Sequence, residues 1–578
     1  MFFTQPEISL SEGLERLTSL LENINWENGA DRLELLRRLD PLIIMRKAVK
    51  QLYDLRDIFQ RDNVERLLED SLFVVNDMDQ RIRFVRFVSR SGYKDEPDID
   101  EAGKPLLNRA TPIHGAHRSS LPGKVTIIQE LFQMYDANYD DDGLTHLHVA
   151  CEYGFQDVVE RIFMLGVDPN LLPEQMDATP LQLAMRFGHV DLTELLLING
   201  ADPNLANRRG MTPLHVACET DWEAYKALTR FFIVSEDLGQ RVNMEARTLE
   251  TGRTPLHLAI LGGNEEVAPL LLIRGAHPNS ADAKGLTPLH CICMSERNVN
   301  LFRVFRTISR QKGWVVPLDP LDNELRTPLQ WAVACLAPNI IDSLLIAGAL
   351  LSNFAYPDRS FFNECFESSL TGEPAEINLK MAFGLLGVIE ALDIEGYDPK
   401  LSDVLTIMSL FAERNLFDNS LLEAHNWYDD EEFVKVAKKI MMYCEEEDEN
   451  SYNLSFFDLI QLPTKKAAQK LMYPYSCCDQ CRDQFWSSAN MGKLPEASIE
   501  FCARYFCDKI ARTFFRQMTV ECFYQLVRPV LMLDCCEEIV DKLPVKDCLQ
   551  YLKMKKVVYF LKTNSHNNPE KKKIFHRT

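Results

Sequence analysis

Thr212-Pro213-Leu214-His215-Val216-Ala217-Cys218 decides how this chain is read, because its first four residues recur along it. The other copies are Thr111-Pro112-Ile113-His114, Thr145-His146-Leu147-His148, Thr179-Pro180-Leu181-Gln182, Thr254-Pro255-Leu256-His257, Thr287-Pro288-Leu289-His290 and Thr327-Pro328-Leu329-Gln330. Their starts lie 34, 34, 33, 42, 33 and 40 residues apart. Each residue has a use at a helix start. A Thr hydroxyl accepts from a free N–H of the first turn. Pro loses nothing by lacking an N–H there, and its fixed φ suits the helix. The Leu opens an apolar face, and Ala five residues after the Thr (Ala150, Ala184, Ala217, Ala259, Ala332) lets helices approach closely. Gly nine after the Thr (Gly154, Gly188, Gly263) can end that helix in the left-handed conformation. A second apolar helix follows, as from Val190 to Ile198, and stops at the turn-former cluster Gly200-Ala201-Asp202-Pro203-Asn204. The stretches Gly166 to Asn170 and Gly275 to Asn279 repeat that turn.

A period of about 33 residues built on this phrase resembles the ankyrin repeat. The resemblance implies an all-α fold: a solenoid of about seven helix-turn-helix repeats over residues 101–356, flanked by helical N- and C-terminal domains. It also implies that the repeated His bonds to neighbouring turns rather than holding a metal or doing catalysis.

The formal net charge of −22 argues against nucleic acid, whose binding draws on a basic face. It also disfavours anionic membranes and steers basic partners in. No signal peptide is evident after Met1-Phe2-Phe3-Thr4, and no run of apolar residues reaches membrane-spanning length. The 16 Cys therefore read as reduced, small apolar residues, with the cytoplasm as the expected location and the nucleus as the alternative. Lys571-Lys572-Lys573 is a weak nuclear signal in a polar tail, residues 563–578.

Outward from the repeats, residues 1–100 show helical spacing (Leu14, Leu17, Leu20, Leu21; Leu33, Leu35, Leu36, Leu39; Lys47 to Leu68; Asp77 to Phe87). They serve either as a cap on the first repeat or as a separate recognition domain. Two repeats carry insertions, around Phe231 to Arg241 and near Gln311-Lys312-Gly313-Trp314, which map to loops or lengthened helices. Residues 357–450 form a helical linker (Ile377 to Leu392, Ser402 to Phe411, Glu432 to Tyr443), ending in the acidic, solvated run Glu445-Glu446-Glu447-Asp448-Glu449-Asn450. A compact helical segment, residues 451–562, follows.

Several phrases resemble one group of ankyrin proteins from parasitoid wasps and related insects: Gly143-Leu144-Thr145-His146-Leu147-His148-Val149-Ala150-Cys151, Arg326-Thr327-Pro328-Leu329-Gln330-Trp331-Ala332-Val333-Ala334, Ser455 to Ile460, and Cys535-Cys536-Glu537-Glu538-Ile539. The last two are similar to the group's C-terminal PRANC domain, which is F-box-like. The resemblance implies docking on a Skp-type adaptor of a cullin–RING ubiquitin ligase, through Leu531, Leu533, Ile539, Leu543 and Pro544. The sequence departs from the family pattern in that Leu533-Asp534 lacks a following Pro, and Leu543-Pro544 comes later. An ordinary helical end-cap with these apolar residues in its core is the other reading.

No phosphate-cradling Gly-rich loop and no Gly-x-Ser-x-Gly elbow occurs, so no enzyme is expected. Cys477-Cys478-x-x-Cys481 is half of a tetrahedral zinc site without a second pair, so neither metal nor cofactor is expected. The expected function is a protein-binding scaffold or adaptor. Its concave ankyrin surface holds a protein, with recruitment to a ubiquitin ligase or masking of an NF-κB-type factor as the two outcomes. Candidate contacts are the tips Asn207, Arg208, Arg209, Leu249, Glu250, Thr251, Asp282 and Lys284, with Trp314 in the second insertion.

Overall fold

A computed structural model of the chain describes residues 24–45, 60–172, 177–219, 223–369, 374–413, 431–444 and 452–461, with 516, 519, 520 and 540. It forms two units, Met1–Ala283 and Lys284–Thr578. Both are helical, in keeping with the all-α ankyrin solenoid expected from the repeats.

Every repeat begins as its chemistry dictates. The Thr N–H donates to the side chain three residues on, at 3.1, 3.4, 3.0, 3.1, 3.2, 3.0 and 2.9 Å for Thr111 through Thr327. That side chain is His in five repeats and Gln182 or Gln330 in the others. Inner helix and outer helix then pack through the expected stripe. The Leu or Ile in third place of each phrase is at most 1% exposed, and Ala150, Ala184, Ala217, Ala259 and Ala332 are fully buried.

In the first unit the helices are α1 (Gly29–Met45), α2 (Arg61–Phe73), α3 (Met78–Arg90), α4 (Pro112–Arg118), α5 (Lys124–Leu131), α6 (His146–Tyr153), α7 (Gln156–Met164), α8 (Pro180–Arg186), α9 (Val190–Ile198), α10 (Pro213–Cys218), α11 (Glu223–Asp237), α12 (Pro255–Leu261) and α13 (Val267–Arg274). A two-residue antiparallel ladder, β1 (Asp140–Asp141) with β2 (Leu144–Thr145), precedes α6. The first insertion is a lengthened outer helix, α11 with 15 residues against nine in α9.

The hairpin α2–α3 carries no tetrapeptide, yet it stacks like a repeat: α2 on inner helix α4, α3 on outer helix α5, with α1 across both. The described part of the N-terminal segment thus packs against the first repeat. Two glycines receive it. A Cβ on Gly115 would lie 2.8 Å from Phe73 Cζ, and one on Gly123 would strike the Met78 methyl. Leu14 to Leu21, and Lys47 up to residue 59, lie outside the described residues.

In the second unit the helices are α14 (Pro288–Cys293), α15 (Val299–Gln311), α16 (Pro328–Ala334), α17 (Pro338–Ala347), α18 (Arg359–Ser369), α19 (Pro374–Ile394), α20 (Leu401–Glu413) and α21 (Glu431–Ala437). The second insertion again lengthens an outer helix, α15, and the loop after it. The pair α18–α19 also lacks the tetrapeptide and stacks on α16–α17 in the manner of a repeat. Gly384 leaves the notch for this: a Cβ there would lie 2.7 Å from the Leu336 side chain.

The helix expected from Glu432 to Tyr443 stops at Ala437. Met441–Cys444 is instead strand β3, paired antiparallel with β4 (Tyr452–Ser455) in the register Met441↔Ser455 to Cys444↔Tyr452. Non-local pairing overrides the helical spacing here, and it joins the two sides of the boundary expected at residue 450. The acidic run between the strands lies outside the described residues. Ser455 caps the following helix α22 (Phe456–Gln461), its hydroxyl accepting from Asp458 N at 3.1 Å. Among the described residues no helix is long and apolar enough to cross a membrane.

Candidate protein-binding surface

The surface is built on the histidines. Because the Thr N–H donates to Nδ1, the ring proton sits on Nε2, from which His215 and His290 reach the next repeat. His215 Nε2 donates to Arg253 O at 3.1 Å and His290 Nε2 to Arg326 O at 3.2 Å. Gln182 does the same for Met211 O at 2.7 Å and Gln330 for Ala355 O at 2.9 Å. Each of these bonds fixes the base of the finger loop that precedes the next helix. Burial holds His114, His148 and His215 down to about 4, so they stay neutral, as the structural role requires. His146, at the position of the usual Pro, fills a box of Phe132, Tyr135 and Tyr139 rings. Its Nδ1–H donates to Ala137 O at 2.9 Å, and its Nε2 accepts from the Thr111 hydroxyl at 2.8 Å.

The fingers are tied to one another by main chain. In the first unit Asp140 N–H donates to Leu107 O at 2.8 Å, Leu249 N–H to Arg209 O at 2.8 Å and Ala283 N–H to Thr251 O at 2.9 Å. In the second, Asn323 N–H donates to Lys284 O at 3.0 Å. Backbone partners satisfied this way leave the tip side chains as the variable part of the surface.

The sequence candidates divide. Asn207 is buried and belongs to the turn: its Oδ1 accepts from Arg209 N at 3.1 Å and Met211 N at 2.9 Å, and its Nδ2 donates to Asp177 O at 2.9 Å. Asp282 is also buried, with Arg253 Nε 3.7 Å away. Both are corrected from contact residues to turn residues, because a short polar side chain that closes a loop has no reach left for a partner. Thr251 is half-buried and shares its hydroxyl with Thr248 at 2.8 Å. Arg208 and Glu250 are exposed, and Leu249 is 76% exposed. Arg209, also exposed, donates to Asp177 Oδ2 at 2.6 Å. Lys284 is exposed, 3.9 Å from Glu364. Trp314 is half-buried behind the end of α15, its main-chain N–H donating to Ser309 O at 2.9 Å, and the exposed neighbour is Val315. Leu531, Leu533, Ile539, Leu543 and Pro544 lie outside the described residues, as do Cys477, Cys478 and Cys481.

One tip residue was not singled out from sequence. Leu325 is 73% exposed and has φ of 62°, in the left-handed region. It stands two residues before its Thr, where Gly143, Gly210, Gly252 and Gly285 stand in other repeats, each with φ above 60°. Lining up the position two residues before each Thr exposes the departure. No group of three or more His, Cys, Asp or Glu among the described residues is placed to hold a metal.

The family Ankyrin repeats (3 copies) matches residues 113–207 and 181–282. The NF-kappa-B inhibitor cactus of Drosophila yakuba is 32% identical over 198 residues, 30% of this chain and 40% of that protein. The palmitoyltransferase ZDHHC17 of Danio rerio is 34% identical over 249 residues, 39% of this chain and 38% of that protein. The chain thus spans about two fifths of the length of these curated relatives. Among solved structures, the ankyrin repeat domain of Bcl-3, described as a unique member of the IkappaB protein family, aligns with a TM-score of 0.32 and 24% identity, over 36% of this chain and 89% of that one.

Proposed function

For this ankyrin-repeat protein we propose inhibition by occupancy: the finger tips and inner helices hold a protein partner and mask a functional segment of it. The observation that carries the reading is Leu249, 76% exposed on a tip whose main chain is tied to Arg209. An apolar side chain on a preset backbone loses little entropy on binding and suits a central anchor. Arg208 and Glu250 beside it supply a charged rim. Similarity to an NF-kappa-B inhibitor supports a transcription factor of that type as partner. A net charge of −22 favours its basic nuclear-import or DNA-binding segment.

The test is titration of the full chain with a purified NF-κB-type factor at low and physiological salt. Saturable binding, weakened at least tenfold by Leu249→Asp with the melting temperature unchanged, is the expected result. Absence of binding at low salt rejects the reading.

Recruitment of the bound protein to a ubiquitin ligase is the second reading. It rests on the PRANC-like resemblance of Ser455 to Ile460 and Cys535 to Ile539. Affinity purification of the full chain and of a chain ending at residue 454 decides it: only the full chain should retain a Skp-type adaptor and cullin.

A further inference from the structure

The inner helices α16 and α18 lie side by side in register. Trp331 and Phe361 meet edge to face at 4.8 Å between ring centres. Four residues further along each helix, on the same faces, come Cys335 and Cys365. Their thiols share a hydrogen bond. Cys365 is buried, whereas Cys335, at the C-cap of α16, is half-buried. The register is held from several sides. Arg326 lies 3.8 Å above the Phe361 ring and pairs with Glu364 at 2.9 Å. Leu336, next to Cys335, sits in the Gly384 notch. The free cysteines Cys151 and Cys218 of the other unit are fully buried, so solvent reaches neither.

We propose that Cys335 and Cys365 form an oxidation-responsive dithiol, closed to a disulfide by a peroxide, that staples the α18–α19 hairpin to the seventh repeat. Cys335, the less buried of the two residues, attacks the peroxide oxygen as its thiolate. A sulfenic acid forms on Cys335 and the other peroxide oxygen leaves as water once protonated. The Cys365 sulfur then displaces the sulfenic oxygen as a second water. Two thiols give up two hydrogens and two electrons, and one peroxide is reduced to two waters. The Cys365 hydrogen bond and burial both push the Cys335 thiol well above its usual range. The closing rate therefore rises with pH, and the pair stays reduced under mild conditions. The linked loop constrains the unfolded chain, so the oxidised form melts higher.

Trypsin makes the test direct. Residues 327–359 and 360–380 are separate fragments with one cysteine each. The full chain is treated with hydrogen peroxide at pH 7 and pH 8.5, its remaining thiols are alkylated, and it is digested without reductant. The expected product is the two fragments joined, two hydrogens lighter than their sum, forming faster at pH 8.5. It is absent from Cys365→Ser, and reductant reverses it. Oxidant should raise the melting temperature of the parent by a few degrees and leave Cys335→Ser and Cys365→Ser unmoved. Recovery of both fragments separately alkylated, or of Cys335 overoxidised or linked to Cys293 instead, overturns the proposal. The parent cross-link needs no variant, so a misfolded variant cannot mask the outcome.

Discussion

Two kinds of hairpin stack in the same way in this protein. Seven carry the tetrapeptide; α2–α3 and α18–α19 do not, yet each lays inner helix on inner helix and outer on outer. The difference lies in what satisfies the layer. A tetrapeptide repeat closes its own N-terminus, and from Gln182, His215, His290 and Gln330 a side-chain N–H also reaches the next loop. A hairpin without it is held by longer-range groups, supplied by Arg109, two residues before Thr111, and by Arg326, next to Thr327. Arg109 reaches Glu65 and Asp95, both at 2.6 Å, and stacks 4.4 Å over Tyr139. Arg326 reaches Glu364 at 2.9 Å and covers Phe361. The lesson is that the phrase makes a repeat locally self-sufficient, while stacking itself needs only an apolar face and one strong cross-layer bond.

The largest test breaks the α2–α3 side. The Asp95 side chain is fully buried between Arg61, at 3.2 Å, and Arg109, and it accepts from the Tyr139 hydroxyl. Asp95→Ala removes the carboxylate that Arg61 and Arg109 share, leaving them Asp98 and Glu65, and takes away the acceptor of the buried Tyr139 hydroxyl, so it should cost about 3 kcal/mol. Urea unfolding of the whole chain checks it, and a loss under 1 kcal/mol refutes the cross-layer account.

Acid separates the two kinds of hairpin next. His114, His148 and His215 sit at about 4 in the folded chain against an unfolded value of about 6.5. Between those values the unfolded chain holds the proton and the folded chain does not. Stability is therefore full above pH 6.5 and is lost as pH falls toward 4, by roughly 3 kcal/mol per histidine. Protonating Nδ1 would also set a ring N–H against the Thr N–H. His215→Gln copies what Gln182 already does, so it should change stability little at pH 7 and slow the loss at pH 5. Melting curves at the two pH values measure it; equal acid loss in parent and variant argues against the histidine relay.

A smaller effect tests the finger tips. A Cβ on Gly210 would lie 2.8 Å from Leu249 N, at φ of 75°. Gly210→Ala should cost about 2 kcal/mol, through strain and a spread finger. Gly166→Ala, with φ of 77° and open space around it, should cost about 1 kcal/mol. If both lose the same amount, close packing at the tip plays no part.

The smallest effect distinguishes two leucines that replace glycines in the seventh repeat. Leu336, φ of 57°, is seated in the Gly384 notch, whereas Leu325 is mostly solvent-exposed. Leu325→Gly should be neutral to about 1 kcal/mol stabilising, since it relieves left-handed strain at no packing loss. Leu336→Gly should destabilise, because packing is lost. Thermal melting of both variants checks the sign.

Much of the repeat array was legible because its signals are local. Thr-Pro-Leu-His caps a helix with atoms three residues away, and Val190 to Ile198 reads directly as an outer helix. The candidate surface was legible only in part. Leu249, Arg208 and Glu250 reach solvent as expected, but Asn207 and Asp282 turn inward, since one residue type serves both for closing a turn and for contact. The seeming helix of Glu432 to Tyr443 failed for a related reason: its strand partner lies beyond the acidic run.

By itself, then, the sequence determined the repeated cap, the apolar stripe and the number of phrases, all set by hydrogen bonds and spacings within one turn. Only the tertiary structure decided that two further hairpins join the stacks, which tip side chains stay free, and that Cys335 faces Cys365. Each of those depends on groups from different layers meeting. Such meetings follow from packing and burial, which single-residue chemistry does not encode.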